Sequence, residues 1–310
     1  MLTELEPGIY YWRGGVNFGL LVGADRQLVL IDAGLDASAP RKALRPFLEQ
    51  GYRLAAVVAT HCHADHIGGA AELHRRFGCP VFAPAPEHLV LEHPELGGAL
   101  LYGAYPPPTL QGKFLQPQAP CPVAGVLRPG PFAVAGLTLE LVPVPGHSPG
   151  QVAVAVGEVL FAGDSLFLPE VLEKHAFLFM VRPQAYLESL ERIAARREPY
   201  LVPGHGPHLV RRPGHDPLPE VLAANRAHVR GIQDRIRAAL ARGPMSEEEV
   251  LLALARQAGK AYDSDPSYYL DRAAVSAHLS DLAARGEVEP AYPEGRRCWR
   301  LADSSRGHGG

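Results

Sequence analysis

The hexapeptide His61-Cys62-His63-Ala64-Asp65-His66 constrains this chain more than any other feature. Three imidazoles and a carboxylate within six residues are too dense a set of metal-ligating groups for chance. The hexapeptide follows Leu54–Ala59 (LAAVVA) without a break. A continuous apolar run of that length reads as a strand buried on both faces. Ligand reach then decides what the turn can do, because a histidine nitrogen must lie about 2.0–2.1 Å from a zinc ion. Alternating residues of an extended turn, His61 and His63, can present two nitrogens to one ion. Asp65 and His66 fall on the following bend and can face a second.

Four ligands do not satisfy two ions, so others must come from elsewhere. Three candidates each stand just after a predicted strand: His147 in PGHSPG, Asp164 in FAGDS and His205 in PGHGP. Strand ends are where α/β folds gather their active sites. A glycine beside each candidate suits a tight turn. Asp164 is the candidate bridge, since two carboxylate oxygens can serve two ions about 3.5–4 Å apart. Structural zinc sites usually have four ligands including cysteines, closed to solvent, whereas this histidine- and carboxylate-rich set suits open, catalytic positions.

The rest of the first half alternates strands and helices, as an α/β fold requires. Ile9–Trp12, Val16–Val22 and Gln27–Ile31 read as strands, and Ala37–Gln50 and Ala70–Phe77 as helices. Leu137–Val144, Val152–Val156, Val159–Ala162 and Tyr200–Val202 read as further strands, with an amphipathic helix over Pro183–Arg197. Two stretches interrupt this order. Residues 83–131 are proline-rich with weak periodicity, and Leu166–Arg182 directly follows Asp164. Long connections of this kind are often lids or binding loops.

After a Pro/Gly-rich linker the character changes, and a boundary is expected between catalytic residues 1–212 and a small C-terminal domain, 213–310. The order there is helix, helix, helix, strand, strand. Ser246-Glu247-Glu248-Glu249 is a capping box that starts the second helix. The third spans about Leu270–Arg285, and Glu287–Tyr292 with Cys298–Leu301 forms a hairpin. That order suits a winged helix-turn-helix, or a plain helical cap or dimerisation module.

Composition excludes some partners. A net charge of -3 gives no basic field for nucleic acid. No apolar run approaches the roughly 18 residues of a membrane span. The four cysteines form no CxxC pair, and the N-terminus lacks a basic-then-apolar leader, so a reducing cytoplasm is expected.

HxHxDH, then a glycine-flanked His, a GD aspartate and a late GH, resembles the metallo-β-lactamase fold hydrolases over about Ile9–Pro207. The resemblance implies an αββα sandwich with a small winged-helix-like α+β domain. It implies that His61, His63 and His147 hold one ion, that Asp65, His66 and His205 hold the other, and that Asp164 bridges. It makes Asp32, in VLIDAG, an orienting support of the histidine loop, with Thr60 beside it. FAGDSLF and GHSPG look especially like glyoxalase II, whereas DRAAVSAHLSDLAARGEV resembles the winged-helix tail of the β-lactamase-like protein 2 group.

These readings imply two Zn2+ per chain, with Fe or Mn as alternatives, and a hydrolase that uses a hydroxide shared between the ions on a phosphodiester (RNA-like) or an ester or thioester. Asp65 is expected to pass a proton to the leaving group and Asp164 to act with it. The expected partner is a small-molecule or RNA substrate, with no membrane and with a homodimer as an option. Three alternatives stay open: a glyoxalase II-like thioesterase, a mono-iron persulfide dioxygenase, and a nucleic-acid-binding protein with a vestigial site. His175 is a candidate for the substrate pocket. His74, His88, His93, His208, His215, His228 and His278 have no partner pattern and read as surface residues.

Overall fold

The computed structural model describes residues 1–303, so residues 304–310 of the expected C-terminal domain lie outside the described part. Seven strands form the first sheet in chain order: β1 (Leu2–Glu6), β2 (Ile9–Trp12), β3 (Phe18–Val22), β4 (Gln27–Ile31), β5 (Arg53–Val58), β6 (Val81–Pro84) and β7 (Gly125–Leu127). The first four are antiparallel, and β4 to β7 run parallel. The second sheet holds β8 (Gly130–Val134), β9 (Leu137–Pro143), β10 (Val152–Val156), β11 (Val159–Gly163), β12 (Tyr200–Pro203) and β13 (Leu209–Val210). Only its β11–β12 pair is parallel.

Strand periodicity sorts the side chains into layers. Val29 and Ile31 point inward with Leu21 and Val58, against Leu139, Val154, Phe161 and Val202 of the second sheet. Leu28 and Leu30 point the other way, under helices Ser38–Leu48 and Ala70–Phe77, whose Leu44 and Leu73 cover them. On the far side Ala153, Ala155 and Leu160 meet Tyr186, Leu190 and Ile193 of helix Pro183–Ala194. The result is the expected αββα sandwich. At the sheet centres both faces are covered, which is why β5, β10 and β11 read as unbroken apolar runs, whereas β8 and β9 expose alternate residues.

Two features differ from expectation. β1 is an added edge strand that the mixed segment LTELE did not signal. Residues 83–131 are not one loop. They begin in β6, run through helices His88–Glu92 and Glu95–Tyr102, and supply β7 and the start of β8, one edge strand of each sheet. Short strands punctuated by proline carry too little period-2 signal to read.

The C-terminal part has the expected order: helices Leu218–Leu240, Glu247–Gln257 and Asp265–Ala284, then the hairpin β14 (Val288–Ala291) and β15 (Cys298–Leu301). The Ser246–Glu249 capping box is present in both directions. The first helix serves two cores. Val221, Leu222 and Val229 pack on the sandwich, whereas Ile232, Ile236 and Leu240 pack in the small domain. No helix among the described residues is long and apolar enough to cross a membrane.

Candidate metal centre

Strand direction brings the candidate ligands to one end. β4 and β5 are parallel, so Asp32 and Thr60–His66 leave the first sheet together. β11 and β12 are parallel, so Asp164 and His205 leave the second sheet together, fixed by the Gly204 N–H donating to Gly163 C=O at 2.8 Å. β9 shares their direction and delivers His147 to the same rim.

The seven side chains converge as three overlapping groups: His61, His63 and His147; His61, His66 and Asp164; and Asp65, His66 and His205. His63 Nδ1 lies 3.1 Å from His61 Nε2 and 2.8 Å from His147 Nε2. Asp164 reaches both sides, with Oδ1 3.3 Å from His66 Nε2 and Oδ2 3.4 Å from His147 Nε2 and 3.5 Å from His205 Nε2. Asp65 Oδ2 stands 3.4 Å from His205 Nε2.

The nitrogens facing away from the centre are held by acceptors. Asp32 Oδ2 pairs with His66 Nδ1 at 2.8 Å. It also accepts the Thr60 hydroxyl at 2.9 Å, and that oxygen lies 3.1 Å from His61 Nδ1. Carbonyls of Phe179 and Gly15 hold Nδ1 of His147 and His205. Such contacts fix the tautomer and leave the facing nitrogen as a donor of its lone pair. Asp32 adopts φ +68, a left-handed conformation rare for a residue with a Cβ. The Thr60 backbone N–H holds it there at 2.7 Å. Asp32 and Thr60 thus both contact the histidine turn.

Electrostatics divide the centre in two. Burial, and then the other imidazoles, hold His61 well below its ordinary pKa and push His63 down to about 3, so these rings are neutral. Burial also opposes protonation of His66 and His205, but Asp164 and Asp65 outweigh it. They raise His66 well above its usual value and His205 to about 10. The two carboxylates thus make this half of the centre favour positive charge. In addition, the buried His66 Nε2 and Asp164 Oδ1 face each other at 3.3 Å without a well-aligned hydrogen bond. Orphaned buried groups of this kind are rare unless something else fills the space. A neutral three-nitrogen cluster beside an anionic one is a donor set that fits two divalent cations.

Several residues at the site carried no sequence signal. Asn17 donates from Nδ2 to the carbonyls of Pro203 and Gly206, bracketing His205. Phe179 lies 5.3 Å from the His63 ring, and Phe167 stacks on His205. Both belong to the Leu166–Arg182 stretch, which therefore does border the site. A cleft of about 430 Å³ opens beside Asp65 and His205, walled by Trp12, Val16, Leu35 and Phe114. His175 is not among its lining residues and is exposed. Cys62 is buried and its thiol is kept protonated.

His147 also depends on backbone shape. Gly146 has φ +134, and a Cβ there would lie 2.3 Å from the Tyr186 nitrogen. Gly146→Ala is therefore expected to cost about 3 kcal/mol, combining strain with overpacking. A urea titration reads this directly, and an unchanged midpoint would refute the assignment.

A sandwich of two sheets with histidines and carboxylates gathered at one rim defines a class of metal-binding scaffold, generally one of hydrolases. The chain belongs to the Metallo-beta-lactamase superfamily, which residues 11–205 match. It is 36% identical over 116 residues to a hydroxyacylglutathione hydrolase of Halorhodospira halophila, covering 37% of this chain and 34% of that one. It is 25% identical over 252 residues to an atrochrysone carboxyl ACP thioesterase of Aspergillus fumigatus, covering 80% and 62%. The chain thus spans less than two thirds of the length of these relatives. Among solved structures, a beta-lactamase domain protein from Burkholderia ambifaria superposes with a TM-score of 0.76 at 23% identity, over 97% of this chain and 93% of that one. That likeness extends the shared fold through the C-terminal domain.

Proposed function

We propose that this chain is a metal-dependent thioesterase acting on acyl thioesters of small molecules or carriers. The observation that carries the reading is the cleft of Trp12, Val16, Leu35 and Phe114, which opens onto Asp65 and His205. An apolar slot beside a metal centre suits an acyl chain whose carbonyl sits at the ligands. The names of the two relatives, a hydroxyacylglutathione hydrolase and an acyl-carrier thioesterase, support the same bond.

His61, His63 and His147 would hold one ion, Asp65, His66 and His205 the other, and Asp164 would lie between them. When bound, two such ions supply Lewis acidity at the carbonyl and lower the pKa of water. The protein's own groups do the rest. Asp32, Thr60 and the carbonyls of Phe179 and Gly15 keep the imidazoles in one tautomer. Phe167 and Phe179 pack on the ligand rings. Asp65 lines the cleft and is held as a carboxylate; burial opposes its ionisation, but His66 and His205 pull its pKa down to about 2. It is placed to carry a proton toward the leaving sulfur.

The phosphodiester reading has less support. On the hairpin, Arg296 pairs with Glu249 and Arg300 with Glu289, and Arg297 lies over Trp299. Guanidiniums engaged in this way are poor phosphate anchors.

Steady-state kinetics on acyl-CoA and acyl-glutathione series, bis(p-nitrophenyl) phosphate and short RNAs test the proposal. The value of kcat/KM is expected to rise about fourfold per methylene, the worth of about 0.8 kcal/mol of burial, until the cleft is full. Phe114→Ala flattens that rise. Faster turnover of the phosphodiesters, or rates indifferent to chain length, would overturn it. Metal quantification on the same sample separates two zinc ions from a single iron.

A further inference from the structure

We infer that Glu87 is the positioning residue that clamps the two loops of the three-histidine half of the centre into one rigid cage. It lies in the proline-rich stretch between β6 and helix His88–Glu92, and no metal-ligating pattern includes it. It is nonetheless 6% exposed. One oxygen, Oε2, accepts the backbone N–H of Cys62 at 2.8 Å. The other, Oε1, accepts the Ser148 hydroxyl at 2.7 Å and the Gly150 backbone N–H at 2.7 Å.

The identity of these partners is the argument. Cys62 is the residue between His61 and His63, and Ser148 follows His147. A single carboxylate therefore joins the turn that presents His61 and His63 to the turn that presents His147, although the loops come from different sheets. The backbones close on each other at the same place. A Cβ on Gly150 would lie 1.9 Å from the Ala85 carbonyl oxygen, so this loop can pack here only as glycine. Three donors converge on two oxygens, which an ionised carboxylate accepts without conflict. An amide does not fit. In Gln one oxygen becomes an NH2, which would turn its hydrogens toward either the Cys62 N–H or the Ser148 and Gly150 donors. Asp is one methylene too short to span the gap.

The inference rests on the reading that His61, His63 and His147 bind a metal ion, and it deepens that reading. The carboxylate does not touch the ion. It sets where the ring nitrogens stand before one arrives, which is how supporting contacts raise metal affinity by about 10- to 100-fold.

The test is zinc binding to the full chain, stripped with a chelator and titrated against a chromophoric competitor, with the cobalt-substituted absorption spectrum as a second readout. In Glu87→Gln one of the two ions is expected to bind about 10- to 100-fold more weakly, with the other unchanged, and the cobalt bands of one site to shift. Ser148→Ala removes one of the three hydrogen bonds and should weaken the same ion by a few-fold. It also carries the test if Glu87→Gln does not fold. A contribution to folding alone would lower the melting temperature of the stripped protein and leave both zinc affinities and the cobalt spectrum as in wild type, which overturns the inference. If wild-type protein binds two ions and both variants match it, the clamp is wrong and the metal reading stands. If wild-type protein binds no ion, both fall.

Discussion

Replacing Asp164 with alanine is expected to lower thioester turnover by about 10³-fold and to leave the purified protein with one metal ion or none. The magnitude follows from position. Asp164 is buried at the end of β11, and its two oxygens approach His66, His147 and His205 within 3.3 to 3.5 Å. No other carboxylate among the described residues comes within ion-pairing distance of imidazoles from both halves of the centre. Burial alone would raise its pKa, but His205 and His66 hold the carboxyl well below the usual range, so it is an anion at every working pH. Losing it would remove the carboxylate that stands between the two proposed cation positions. The electrophilic help at stake is worth several kcal/mol, or about three decades in rate. Asp164→Asn keeps the volume and one carbonyl oxygen, so it should fall between alanine and wild type in metal content. Metal quantification and kcat measured on the same preparations decide the matter. An Asp164→Ala protein that holds two ions and turns over at the wild-type rate would remove the basis for the proposed function.

The seven converging residues were legible because their chemistry is specific to type and their positions are local. Each follows a strand, and strand direction alone carries them to one rim. Asp32 and Thr60 were expected only from the family resemblance, and they sit at the ends of adjacent parallel strands. Glu87 was not legible. A glutamate in a proline-rich stretch reads as a surface charge, and its partners are mostly backbone amides 25 and 63 positions away. Asn17 is hidden likewise, since its partners near His205 lie 186 and 189 residues downstream. The cleft could not be read either, because it joins Trp12 to Phe114 across separate segments. His278 is a different failure. It was expected at the surface with the other unpaired histidines, yet it is fully buried. The signal was present: Val275, Leu279 and Leu282 set the apolar stripe of helix Asp265–Ala284, and position 278 falls on it.

That burial makes the stability of the protein depend steeply on pH. Burial first, and then the charges of His228, Arg235 and Arg285, push His278 down to about 3. In the unfolded chain the same ring titrates near about 6.5. Between these values the unfolded state binds a proton that the folded state refuses, so stability rises with pH across the window and falls as acid is added. At pH 4.5 the loss from this one group is about 3 kcal/mol relative to neutral pH. Neither ring nitrogen of His278 has a hydrogen-bond partner, so even the neutral ring is costly to bury. His278→Leu has similar volume and no polar atoms. It should match or slightly exceed wild type in urea at pH 7.5, and its advantage should widen by about 3 kcal/mol at pH 4.5. Metal ligands titrate in both proteins and cancel from that difference. Stability curves that stay parallel from pH 7.5 to 4.5 would show that His278 finds a proton or a partner in the folded state after all.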